Sequence, residues 1–151
     1  NLERARSLNV EIVDLENLAK ESDYISIHAP LLESTKYVFN KNLFNIMKDS
    51  VCIINTSRGK IIKLEDLYEA LTSGKVAFVG LDVLENEPPA ELERKIIEHP
   101  NALVTPHAAY SSTAASRNQI INTVQCVKKI LKGEIPDFIV NPGVINKLRA
   151  I

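Results

Sequence analysis

The chain has 151 residues, 45% of them hydrophobic and 25% charged, and a formal net charge of -1. This is one domain by size, long enough to bury a core and ordinary in composition for a soluble globular protein. No basic run favours nucleic acid or a membrane surface, and no apolar segment approaches the length that spans a bilayer.

The N-terminus is charged, with Glu3, Arg4 and Arg6 and no signal-peptide core. Cys52 lies in an apolar run and Cys126 in a helical pattern. Both read as buried thiols of a reducing compartment, so the cytoplasm is the expected location.

In chain order, Val10-Glu11-Ile12-Val13 predicts a strand, followed by a short helix with Asp14 as its N-cap and Leu15, Leu18 and Ala19 on it. Tyr24 to His28 predicts the next strand, closed by Ala29-Pro30. Asn40 caps a helix bearing Leu43, Phe44 and Met47, and Val51-Cys52-Ile53-Ile54 is a continuous apolar run, as in a strand covered on both faces. Leu64, Leu67, Tyr68 and Leu71 fall at helical spacing, with Gly74 ending that helix. Val76 to Leu81 and Ala102-Leu103-Val104 are further strands. Ser111 or Ser112 begins a long helix whose Ile120, Val124, Val127 and Leu131 share a face, and Gly133 ends it. Pro136, Pro142 and Gly143 predict an extended tail.

Strand and helix alternate at least four times, which predicts an α/β fold: a Rossmann-like parallel sheet with helices on both faces. The expected domain runs over residues 1–134, with an extended tail over 135–151. In such a sheet Pro30, Arg58, Asp82 and His107 all come to the carboxyl edge of the strands, where ligands bind.

The residues at that edge carry chemistry. Arg58, in Asn55-Thr56-Ser57-Arg58-Gly59, offers a planar fork that pairs with both oxygens of a carboxylate. Its bland reading is a surface arginine at the sheet edge. His107, after Thr105-Pro106, is suited to exchange a proton with a carbonyl that gains a hydride. Its bland reading is a ring bonded to backbone. That bland reading suffices for His99, and His28 has no evident catalytic partner. Glu87 could sit beside His107, since a carboxylate next to an imidazole favours its protonated form. Chemistry alone does not separate Glu87 from Glu85. Asp82, ending its strand with no adjacent cation, suits either a ligand amide or ribose, or the capping of the following turn. The three histidines and two cysteines show no metal-ligand spacing, and Ser57 lacks the glycine two residues before it that a nucleophile elbow carries.

Four ordered stretches, His28-Ala29-Pro30-Leu31, Asn55-Thr56-Ser57-Arg58-Gly59, Gly80-Leu81-Asp82-Val83 through Glu87-Pro88, and Thr105-Pro106-His107, make the chain resemble the NAD-binding domain of the D-isomer-specific 2-hydroxyacid dehydrogenases. The resemblance runs over nearly the whole chain, ending with Asn141-Pro142. It implies an NAD-dependent oxidoreductase acting on a small D-2-hydroxy acid, commonly a homodimer. It also implies catalytic roles for Arg58, Glu87 and His107: Arg58 on the substrate carboxylate, His107 as general acid/base, Glu87 as its partner. Ala29, Pro30 and Thr35 would line the cofactor, Thr56, Ser57 and Arg58 would run past the nicotinamide, and Asp82 would contact its carboxamide, with His107 and Tyr110 nearby.

Two departures stand out. The glycine-rich dinucleotide turn G-x-G-x-x-G is absent, as is the acidic residue that reads the adenosine ribose. The expectation is therefore a C-terminal piece of a longer enzyme, truncated at its N-terminus and inactive alone. Ala108-Ala109-Tyr110 stands where many members carry a glycine pair, and Leu32 replaces a threonine. Tyr110 resembles the corepressor branch of the family, so an NAD(H)-sensing interaction module is the alternative reading.

Overall fold

The computed structural model describes residues 2–145. Its elements run α1 (Leu2–Ser7), α2 (Leu15–Glu21), β1 (Tyr24–Ile27), α3 (Lys41–Ile46), β2 (Val51–Asn55), α4 (Leu64–Thr72), β3 (Val76–Leu81), α5 (Glu91–Ile97), β4 (Ala102–Val104) and α6 (Thr113–Leu131). Short 3-10 turns occupy Gly59–Ile61 and Pro142–Val144. The chain divides into two compact units, Asn1–Ala109 and Tyr110–Ile151.

The first unit is a four-stranded sheet in the order β1-β2-β3-β4, parallel throughout. The strands end in register: Ile27 faces Asn55, Asn55 faces Leu81 and Leu81 faces Val104. One row across the sheet thus closes all four strands. The loops that follow leave from a single edge, and this Rossmann-like arrangement positions the site.

Alternation decides which side of each strand is buried. Ile25, Ile27, Val51, Ile53, Val79 and Leu81 point inward with Phe44, Leu67, Leu71 and Ile96 from the helices. The opposite side of the strands carries Tyr24, Phe78 and Leu103, all exposed. Helices start where the sequence supplies caps. Asp14 accepts from the Asn17 amide at 2.8 Å, Asn40 from the amides of Asn42 and Leu43, and Ser112 from that of Ala115. Gly74, at φ +79°, follows α4 as expected of a C′ glycine.

Three elements differ from the sequence reading, the first being helix α1 at Leu2–Ser7, which it does not anticipate. Val10 to Val13 is not a strand: Val10, Ile12 and Val13 are exposed, and no described strand lies beside them to pair with. Helix α5, which the apolar pattern does not announce, begins at Ala90 without a capping side chain and buries the charged Glu93 beside Ile96.

The second unit holds α6, with its cap at Ser112, and the turn at Pro142–Val144. Ile120, Val124, Val127 and Leu131 form the expected stripe, and all four are exposed. The end of the expected extended tail, residues 146–151, lies outside the described residues.

Candidate active site

The loop after β2 is folded by one amide. Asn55 is fully buried; its Oδ1 accepts from the Ser57 amide at 3.0 Å and the Ser57 hydroxyl at 2.9 Å, while its Nδ2 donates to the Arg58 carbonyl at 3.0 Å. This turns the chain so that Arg58 is exposed, with its Nη1 donating to the Ser57 carbonyl at 2.7 Å. The next residue must be glycine, because a Cβ at Gly59 would lie 2.1 Å from the Leu84 carbonyl oxygen. That close approach presses the Arg58 turn against the loop that carries Glu87.

His107 is set by a different device. It adopts φ +51°, a left-handed conformation uncommon for a non-glycine residue. Asp82, at the end of β3, holds both sides of this turn: Thr105 Oγ1 donates to it at 2.5 Å, and the amides of Ala108 and Ala109 at 2.9 Å each. Burial alone would raise the Asp82 carboxyl; these three bonds outweigh it and, with the nearby His107, hold the group below its ordinary value. The ring so aimed meets Glu87, with Nδ1 2.9 Å from Glu87 Oε2. Glu87 Oε1 accepts from the Leu84 amide at 3.2 Å. The hydrogen bond to His107, then that from Leu84, lowers the Glu87 carboxyl.

Arg58, Glu87 and His107 border one cleft together with Leu31, Gly59, Lys60, Val83, Leu84 and Glu85. Beside it, a mainly apolar hollow is lined by Leu84, Pro89, Ile97, Val104 and Pro106 with Asp82, Glu87 and His107. Geometry separates the two glutamates that chemistry left equal: Glu87 meets His107, whereas Glu85 accepts from the Tyr37 hydroxyl. Tyr37 in turn donates its amide to the Lys60 carbonyl at 2.8 Å, and Glu85 pushes its phenol up to about 12.

The remaining sequence candidates are placed as follows. Thr35 closes its own loop, donating to the Pro30 carbonyl at 2.7 Å and accepting from the Leu32 amide at 2.8 Å. Ala29 packs against the core, and Pro30 and Thr56 are exposed at the carboxyl edge. None of these four borders the two clefts. Tyr110 opens the second unit. His28 pairs its Nε2 with the Ser26 hydroxyl at 2.8 Å, and His99 accepts from the Asn101 amide at 3.2 Å. Among the described residues no group of three or more His, Cys, Asp and Glu could hold a metal. The clasp between Tyr37 and Glu85 escapes sequence reasoning because 48 positions separate the partners and neither belongs to an apolar pattern.

Residues 1–109 match the family model described as D-isomer specific 2-hydroxyacid dehydrogenase, NAD binding domain. The chain belongs to this family. It is 48% identical over 125 residues to a hydroxypyruvate reductase of Thermotoga maritima, covering 82% of the chain and 41% of that relative. A glyoxylate reductase of Korarchaeum cryptofilum is 36% identical over 140 residues, covering 93% and 42%. Among solved structures, D-lactate dehydrogenase from Aquifex aeolicus complexed with NAD and lactic acid superposes with a TM-score of 0.80 at 34% identity, over 87% of this chain and 44% of that one. The chain thus spans less than half the length of each of these relatives.

The residues present fit the nicotinamide end of a dinucleotide. Asp82 borders the apolar hollow at the strand ends, while Thr56 and the Ala29-Pro30 backbone lie at the same sheet edge outside it. The five glycines, Gly59, Gly74, Gly80, Gly133 and Gly143, include no phosphate-binding turn.

Proposed function

We propose that this chain is part of an NAD(H)-dependent oxidoreductase acting on the CH–OH group of a small D-2-hydroxy acid, and that it is inactive alone. The observation that carries the reading is the pairing of His107 with Glu87 at 2.9 Å on the cleft that Arg58 also borders. Bound NADH supplies the hydride to the substrate carbon. Arg58 grips the substrate carboxylate through two parallel hydrogen bonds and orients the adjacent carbonyl. Because Nδ1 of His107 faces Glu87, its Nε2 is the atom that gives a proton to the carbonyl oxygen on reduction and takes one on oxidation. The Glu87 carboxylate holds the ring in that orientation and balances its positive charge. Ala29, Pro30, Thr35, Thr56, Ser57, Asp82 and His107 belong to the cofactor side in this reading.

The same reading makes the protein a cytoplasmic homodimer. The exposed apolar side chains Tyr24, Phe78 and Leu103 on one sheet face are in keeping with association, and no helix among the described residues is long and apolar enough to cross a membrane. The alternative of an NAD(H)-sensing module has Tyr110 in its favour, but a sensor has no use for the set of Arg58, Glu87 and His107.

The test is NADH oxidation by the longer polypeptide across a panel of 2-oxo acids, with the 151-residue chain beside it. Turnover by the longer protein and none by the short chain is expected. NADH-dependent association without turnover of any acid would contradict the enzyme and favour the sensor.

A further inference from the structure

Glu93 is a carboxylate that the mechanism does not use, and it is 1% exposed. It pairs with no cation among the described residues: on its own helix α5, Arg94 is exposed and Lys95 pairs with Glu91 at 2.9 Å. Instead, its Oε1 receives two hydrogen bonds from one residue, the Asn86 amide at 3.1 Å and Asn86 Nδ2 at 2.7 Å. Burying a carboxylate without a counter-ion opposes folding, and two aligned donors offset only part of that cost. What the arrangement secures is the location of Asn86, and Asn86 directly precedes Glu87.

We propose that Glu93 is a positioning residue: by gripping Asn86 from the interior, it fixes the 84–87 loop so that Glu87 meets His107. The loop is also held just ahead of this grip. Tyr37 binds Glu85, and Gly59 abuts the Leu84 carbonyl. Yet the Asn86 clasp is the nearest to Glu87 and the one that comes from the core. Both groups that lower the Glu87 carboxyl, the His107 ring and the Leu84 amide, depend on the course of this loop, whereas the neighbouring Asp82 raises it. Arg58, Lys60 and Glu85 border the same cleft. A change in loop position therefore registers in the titration of Glu87 itself.

The experiment follows the Glu87 side-chain carboxyl by NMR as a function of pH in the 151-residue chain, for the unaltered protein, Glu93→Gln, Glu93→Ala and Asn86→Ala. The amide spectrum checks the fold, and Asn86, being exposed, gives a variant that spares the core if Glu93→Ala does not fold. The unaltered protein and Glu93→Gln, which keeps an acceptor, are expected to titrate below the ordinary carboxylate range. Asn86→Ala and Glu93→Ala are expected to move up toward it. An unchanged Glu87 midpoint in Asn86→Ala and in any folded Glu93→Ala overturns the proposal.

A kinetic arm rests on the function proposed above. In the longer enzyme, Glu93→Ala is expected to lower kcat about 10- to 100-fold and shift the pH profile, with KM for NADH unchanged and recovery in Glu93→Gln. Absence of turnover in the unaltered enzyme would refute that function and leave the titration to decide the role of Glu93.

Discussion

The turns that carry Arg58 and His107 leave the same sheet edge, yet they are built from different chemistry. Asn55 folds the first with a neutral amide that both accepts and donates, and Gly59 seats it on the Leu84 carbonyl. Asp82 folds the second with an acceptor-only carboxylate, which holds a left-handed histidine from both sides. The Arg58 turn thus rests on a scaffold with no ionisable group. The His107 turn rests on a charged one, and acid reaches it first.

Removing the cation itself sharpens this contrast most. In the longer enzyme, Arg58→Ala is expected to cost about 1,000-fold in kcat/KM, roughly 4 kcal/mol, comparable to losing a strong transition-state donor. The loss should be the same across the pH range, which a rate profile checks. Gly59→Ala comes next. Its Cβ would meet backbone rather than a flexible side chain, so a loss of about 3 kcal/mol is expected by urea denaturation.

Asp82→Ala leaves the Thr105 hydroxyl and two amides without their acceptor and is expected to cost about 2–4 kcal/mol at neutral pH. Asn55→Ala, with fewer donors stranded, is expected to cost about 1–3 kcal/mol.

The smallest effect separates the two turns most cleanly. The Asp82 carboxyl lies below its ordinary value in the folded chain. Its contribution is therefore complete above the unfolded value of about 3.9 and is lost as pH falls through the folded one. The cost of Asp82→Ala should shrink on acidification, while that of Asn55→Ala stays level. Equal pH dependence of the two variants in denaturation at several pH values would break the comparison.

The parts of the fold legible in the sequence are those set by local chemistry. Asp14 and Asn40 cap their helices, Ser112 of the two serines considered caps α6, Gly74 ends α4, and the apolar runs of β2 and β3 lie in the sheet. The errors arise where a partner decides. Val10 to Val13 has the composition of a strand, but a strand exists only beside another, and none of the described strands is next to it. Helix α5 hides its periodicity because Glu93 occupies a buried position that the apolar stripe would fill.

At the site, residue types and their order along the chain suggest Arg58 and His107 early. Chemistry alone leaves Glu87 and Glu85 equal; the family resemblance points to Glu87, and the structure places it 2.9 Å from His107. The reason for Gly59 needs the backbone of a loop 25 residues away, at Leu84. Asp82 shows both limits: its position at a strand end is readable, but its engagement with residues 105, 108 and 109 is a long-range fact.

The most direct test of the account is His107→Asn in the longer enzyme, measuring NADH binding by nicotinamide fluorescence and turnover of its best 2-oxo acid on the same preparation. The account predicts saturable NADH binding as in the unaltered enzyme, with kcat reduced by about 100-fold or more. Turnover unchanged in His107→Asn would show that the proton travels by another route and that the cleft shared by Arg58, Glu87 and His107 is not the catalytic one.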